Sequence, residues 1–296
     1  MSMDIGTFLQ LTLNGVAVGC IYGLVALGFV LIYKATETIN FAQGEFMMIG
    51  AFLAFTGTVI YGLPLAVAIV GAVLITAGVG IALDRMILRR VLGESQFTIV
   101  MLTIGVGYVL RGLVTMIPGW GTETYALPSP VSGQVLRAGA ISLSAEHLTV
   151  IAATLVLCLA LFVFFRRSVI GVAMQAVSQN QIAAYLVGIP VSRMNAIVWG
   201  LSAAIGAIAG ILLAPFSYVH ANMGLIGIKA FPAAVLGGFG SIPGALIGGL
   251  LIGLIEAYAG FFMPEGYKDV AAYVVLLIVL IIWPSGLFGE RFTKRV

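Results

Sequence analysis

Residues 230–262 read AFPAAVLGGFGSIPGALIGGLLIGLIEAYAGFF, an apolar run of 33 residues with one charged side chain, Glu256. A helix that crosses a bilayer needs about 17–25 residues, so one straight span leaves residues over. The excess coincides with Leu236-Gly237-Gly238-Phe239-Gly240-Ser241-Ile242-Pro243-Gly244. Glycine relaxes the backbone there, and proline removes a donor and crowds the preceding turn. The run therefore reads as a half-helix over 230–237, a turn within the protein near 236–244, and a full span over 244–262. The alternative is one long tilted helix kinked at Pro243. A break of this kind is tolerated inside a membrane only where protein or a water-filled cavity covers the freed backbone.

The rest of the chain has the same character. Of 296 residues, 61% are hydrophobic and 8% charged, against about 45–50% and about 25% in soluble domains. Such a chain cannot cover a soluble surface. The composition excludes a cytosolic enzyme, a disordered chain, a disulfide-rich secreted module and a nucleic-acid binder. Further apolar segments lie at 7–33, 42–61, 63–83, 96–117, 147–165, 194–216 and 270–284. They are long and continuous, without the alternation of an outer-membrane barrel strand. The expected fold is an all-α polytopic membrane bundle of about eight spans, one of them broken or re-entrant, forming a single domain over 1–296. Two connections are substantial: an outer loop at 118–146 and a polar inner loop at 166–193. The amino terminus, MSMD, lacks the basic region of a cleaved signal, so the first segment is expected to stay as a span.

Lys and Arg in short loops set orientation. Lys34, Arg85, Arg89, Arg90, Arg166, Arg167, Arg193, Arg291, Lys294 and Arg295 all fall on one side if the amino terminus is outside and the carboxyl terminus cytoplasmic. That arrangement needs an odd number of crossings, which a re-entrant 230–262 supplies.

Little points to an enzyme. No Gly-Lys dipeptide occurs, so a phosphate loop of the GxxxxGK[ST] type is absent. His147 and His220 lack partners at ligand spacing, and Cys20 and Cys158 lie within apolar runs as packing residues. No cofactor is expected. Glycine numbers 38, and the series Gly15/Gly19/Gly23, Gly206/Gly210, Gly244/Gly248 and Gly249/Gly253 place small residues on one helix face, where backbones can approach closely.

Ionisable residues inside spans are functional candidates. Arg111 lies ~22 Å along the fourth span and Glu256 ~18 Å along the helix that starts at Gly244, by the rise of a helix. Their similar depth suggests an ion pair or a shared polar cavity; the alternative is that each snorkels outward on its own. Glu45 lies at the start of the second span behind Asn40. Asn40 suits a cap and Glu45 the helix dipole. Alternatively, Gln43 and Glu45 line the inner mouth of a pathway.

Three stretches carry a family resemblance. Ile39-Asn40-Phe41-Ala42-Gln43-Gly44-Glu45-Phe46-Met47-Met48-Ile49-Gly50, Ser178-Gln179-Asn180-Gln181-Ile182-Ala183-Ala184-Tyr185-Leu186-Val187-Gly188-Ile189 and Ala233-Ala234-Val235-Leu236-Gly237-Gly238-Phe239-Gly240-Ser241-Ile242-Pro243-Gly244-Ala245 resemble, in the same order, permeases of branched-chain amino acid ABC importers (the LivH/LivM type, closer to LivH). The resemblance implies an inner-membrane permease without its own ATPase. Its expected partners are two cytoplasmic ATPase subunits that bind the ATP, a second related permease, and a periplasmic or lipid-anchored substrate-binding protein. It also implies a coupling helix within 176–188. The expected ATPase contacts are Gln179, Asn180, Ala183, Ala184, Gly188 and Ile189, with the alanines and Gly188 forming a small docking face. Ile182 stands where older importer permeases carry Glu, so the match rests on the branched-chain family. Asn40, Gln43, Gly44, Glu45, Gly237, Gly238, Gly240 and Ser241 are implied pathway residues. A urea or short-amide permease of the same family is the alternative substrate reading. An independent secondary transporter is a more distant one.

Overall fold

The computed structural model describes residues 5–91, 93–121, 123–138, 141–264 and 266–289. The basic Arg291, Lys294 and Arg295 lie outside the described residues. The helices are α1 (Ile5–Thr36), α2 (Gln43–Phe55, continued by a π-helical turn, Thr56–Ile60), α3 (Leu65–Met86), α4 (Gln96–Met116), α5 (Ala145–Arg167), α6 (Val169–Gln179), α7 (Gln181–Leu186), α8 (Val191–Ser217), α9 (Gly224–Gly237), α10 (Ile242–Phe262) and α11 (Tyr267–Ile282). Between α4 and α5, β1 (Val135–Ala138) pairs antiparallel with β2 (Ile141–Ser144) in a two-stranded hairpin.

The protein is an all-α polytopic membrane bundle. Among the described residues, seven helices are long and apolar enough to cross a membrane: α1, α2 with its π-turn, α3, α4, α5, α8 and α10. The last apolar segment of the sequence, α11, is 16 residues long. The run at 230–262 is broken, as its glycines and Pro243 imply. Gly237 ends α9, Gly238 takes a positive φ of 91°, and Ser241 caps α10 by accepting a hydrogen bond from the Gly244 amide at 3.0 Å. Pro243 then sits in the first turn, where its missing N–H costs nothing. The half-helix is longer than expected. It starts at Gly224 rather than 230 and carries Pro232 inside it.

The chain forms two compact units, one from 1–30, 131–154 and 229–296, the other from 31–130 and 155–228. In the first unit the glycine series of α1 meets that of α10. A Cβ on Gly19 would lie 2.7 Å from the Leu250 Cα, and one on Gly249 or Gly253 would overlap the backbone of Gly23 or Gly19. Glycine here removes the side chains that would otherwise hold the helices apart. Thr12 and Tyr258 hydroxyls meet at 2.7 Å, and Tyr22 donates to Glu256 Oε2 at 2.7 Å. Beyond α11 the chain returns to the end of α9. There the amides of Leu287 and Phe288 donate to the carbonyls of Leu236 and Gly237 at 2.8 and 3.2 Å. Carbonyls freed by the helix break thus find donors.

In the second unit α2 packs into α8 and α3 and is buried along nearly its whole length. Gly50 faces Ala207, Gly210 faces the Met47 backbone, and Gly80 of α3 faces the Trp199 carbonyl of α8. Phe52 stacks on Trp120 with ring centroids 5.0 Å apart, and the Trp120 indole donates to Thr56 Oγ1 at 2.6 Å. Tyr125 and Val219 exchange backbone hydrogen bonds at 2.9 and 2.8 Å, which pins the outer loop to the segment after α8.

These contacts predict a sharp contrast between glycines. Gly19→Val should destabilise the purified protein by about 1–3 kcal/mol through overpacking, seen as a lower melting temperature in detergent. Gly105→Val should leave it nearly unchanged, because nothing lies within 4 Å of a Cβ built there.

Candidate functional site

The second unit concentrates its polar side chains around the start of α2. After α1 ends, Glu37 turns the chain with a φ of 54°, and residues 37–42 run without helical structure. Asn40 Oδ1 accepts from the Ala42 amide at 3.0 Å, and the Asn40 carbonyl accepts from the Gln43 amide at 3.2 Å. Asn40 therefore forms a turn just ahead of the helix and leaves the cap position to Ala42, which makes no side-chain cap. Gln43 clasps α8 from both ends of its amide. Its Nε2 donates to the Ser202 carbonyl at 3.1 Å, and Ser202 Oγ donates to its Oε1 at 2.7 Å. Gly44 meets Gly224 and Gly227 of α9 backbone to backbone.

Glu45 forms an ion pair with Arg111 Nη2. The expected pairing of Arg111 with Glu256 is thus corrected: Arg111 is bound to Glu45, and Glu256 accepts from Tyr22. The physical reason lies in residues 37–45. Gln96, the first residue of α4, donates to the Glu37 carbonyl at 3.5 Å. The Phe41 amide donates to Thr103 Oγ1 at 3.2 Å. Gly107 faces Ala42 and Glu45, and Arg111 takes the carboxylate. Thr103, Gly107 and Arg111 recur every four residues and so share one face of α4. The distance from Gln96 to Arg111 is ~22 Å along a helix. Non-helical chain advances up to about twice as far per residue as helix, so a few residues carry Glu45 to the depth of Arg111. Counting helical residues alone places Glu45 near the membrane edge.

Glu45 is 5% exposed, and its second oxygen, Oε2, is buried without a hydrogen-bond partner, as are Arg111 Nε and Asn40 Nδ2. Arg111 also lies over the Tyr108 ring, 5.8 Å from its centroid. His220, in the segment leading to α9, is pushed below the ordinary imidazole range by burial, which favours its neutral form. A cavity of about 10 Å³, lined by Asn40, Thr103, Trp199 and apolar neighbours, lies beside the turn.

Of the glycine-rich residues at 237–241, Gly237 packs against Gly244, Gly238 makes the turn, and Ser241 caps α10. The polar inner loop differs from the single helix expected over 176–188. Asn180 breaks it, ending α6 and capping α7 by accepting from the Ala183 amide at 2.9 Å. Gln179 is the last residue of α6. Gln181 Nε2 donates to the Ala35 carbonyl at 2.7 Å and ties α7 to the end of α1. Gly188 stops α7 with a φ of 87°, and the Ile189 amide donates to the Ala184 carbonyl at 3.0 Å. Of the small residues, Ala184 is buried while Ala183 and Gly188 are exposed. Beside them, Ile182, Tyr185, Leu186 and Val187 are each more than 70% exposed. Sequence reading overlooked these four. Their signal is a run of large apolar side chains within the most polar connection of the chain.

The buried pair yields a stability prediction. Glu45→Leu or Arg111→Met alone leaves an uncompensated buried charge and should cost about 3–5 kcal/mol, whereas the double substitution should recover most of it. Thermal denaturation of the four proteins measures the coupling.

The model of the family described as "Branched-chain amino acid transport system / permease component" matches residues 11–280. The chain is 35% identical to the high-affinity branched-chain amino acid transport system permease protein LivH of Salmonella typhimurium, over 100% of both chains. It is 31% identical to the corresponding protein BraD of Pseudomonas aeruginosa, over 99% of each. Among solved structures it is similar to PsaBC from Streptococcus pneumoniae in complex with Fab, with a TM-score of 0.49, 14% identity and coverage of 92% of this chain and 91% of that one. This chain belongs to the branched-chain amino acid transport permease family.

Proposed function

We propose that the protein is the membrane permease subunit of an ATP-driven importer for branched-chain amino acids. The observation that carries this is the likeness to LivH across the full length of both chains. The chain is a multi-pass membrane protein, and its basic residues favour an inner membrane with the amino terminus outside and the carboxyl terminus in the cytoplasm. Two cytoplasmic ATPases bind the ATP, a second related permease completes the path, and a periplasmic or lipid-anchored binding protein delivers the amino acid. The protein itself transports rather than catalyses.

The inner connection suits the ATPase contact. Ile182, Tyr185, Leu186 and Val187 form an exposed apolar face on α7, and a short helix laid in a groove is a recurrent docking mode. Asn180 and Ile189 close the two ends of α7, and Gln181 ties it to the end of α1, so a push on α7 reaches α1 through the Gln181–Ala35 bond. The motion is read as alternating access, with the break between α9 and α10 and the residues Asn40, Gln43, Gly44, Glu45, Gly237, Gly238, Gly240 and Ser241 along the path.

Labelled leucine and urea uptake into proteoliposomes of the assembled complex tests the reading. Leucine should accumulate only with ATP and binding protein. Urea accumulation without leucine would replace the substrate class, and uptake by the isolated chain without nucleotide would overturn the importer reading. Leu186→Asp should abolish co-purification of the ATPases while the permease still inserts in the membrane. Retention of the ATPases would remove α7 from the coupling role.

A further inference from the structure

The broken helix α9 begins against Glu45, and the hydrogen-bonding capacity left unused there matches an α-amino acid. Glu45 gives Oε1 to Arg111 and keeps Oε2 buried without a donor. Arg111, whose side chain is 18% exposed, keeps its Nε–H buried without an acceptor. Gly224, the first residue of α9, lies so close that a Cβ on it would overlap both carboxylate oxygens. The start of α9, 14 residues long, brings the positive end of a helix dipole to the same place. Glu45 thus occupies a position where two independent features favour a carboxylate.

We propose that the Glu45–Arg111 pair at the start of α9 is a binding stop for the amino-acid zwitterion inside the permease. The substrate carboxylate takes the Arg111 guanidinium through Nε and Nη2, a side-on bidentate geometry. The ammonium takes the Glu45 carboxylate. The zwitterion carries no net charge, so one ion pair becomes two without burying an unpaired charge, the costly case in an apolar interior. Access follows from the crossing of α2 and α9. Gly44, Gly224 and Gly227 meet there through backbone alone, so the two helices can part without unlocking side chains. The proposal rests on the reading of this chain as an amino-acid permease, and it adds the residues that hold the substrate.

The test uses the assembled complex in proteoliposomes, with ATPase co-purification as the measure of intact assembly. Arg111→Lys keeps the ion pair but loses the second donor, and Glu45→Gln keeps the shape but loses the charge for the ammonium. Each should lower leucine uptake at least tenfold with assembly retained. Saturation-transfer NMR on the complex without binding protein should show contact with leucine that both variants lose. Neither leucinamide, which lacks the carboxylate, nor 4-methylpentanoate, which lacks the ammonium, should displace leucine at tenfold excess. Uptake by Arg111→Lys within twofold of the unaltered complex would overturn the proposal. So would recovery of uptake in the reversed pair, Glu45→Arg with Arg111→Glu, because a purely structural pair works in either sense while the dipole of α9 does not. Failure of the unaltered complex to take up leucine would instead refute the permease reading itself.

Discussion

A peptide group freed by a helix break in an apolar medium has no water to turn to, and this constraint shapes both units. The chain breaks at 37–42, at 218–223 and at 238–241. Each break is answered by protein. Asn40 ties the first with its side chain and its carbonyl, and Thr103 Oγ1 takes the Phe41 amide. Val219 exchanges two backbone bonds with Tyr125 of the outer loop. Leu287 and Phe288 return to the carbonyls at the end of α9. Segments far apart in the chain are thereby held together, and positions that an unbroken helix would seal become places where polar side chains can gather.

Glycine supplies the complementary half of the arrangement. Between α1 and α10, between α2 and α8, and between α2 and α9, backbones touch where any side chain would collide. Lipid tails are as apolar as leucine, so helices in a membrane gain from close contact rather than from leaving the solvent. The same smooth contacts resist shear less than interlocked side chains do. A bundle that must open on one side and then the other is well served by them.

Buried charge marks the exception to this apolar plan. Glu45 and Arg111 lie within a unit whose interior is mostly aromatic and aliphatic but also buries Asp84, paired with Arg89, and the Glu45–Arg111 pair has hydrogen-bonding capacity to spare. A pair kept for stability alone would gain from saturating those groups or from replacement by apolar residues. Its incomplete satisfaction lies beside the backbone-only crossing of Gly44 with α9.

The sequence by itself determined the class of the protein, the membrane-length helices to within a few residues, the break between Gly237 and Ile242, and the close-packing role of the glycine series. These follow from local properties: apolar length, the backbone chemistry of Gly and Pro, and spacing by four. Three motifs in order were enough to suggest the family. Only the tertiary structure decided which charges meet and which face of the inner loop projects. The partner of Arg111 depended on a six-residue non-helical stretch, 37–42, whose reach differs from that of a helix. The burial of Ala184 and the exposure of Tyr185 depended on where Asn180 ends one helix and begins the next. Hydrophobic periodicity records how far a segment prefers to be from water. It does not record how far along its neighbour a bent chain travels before it turns.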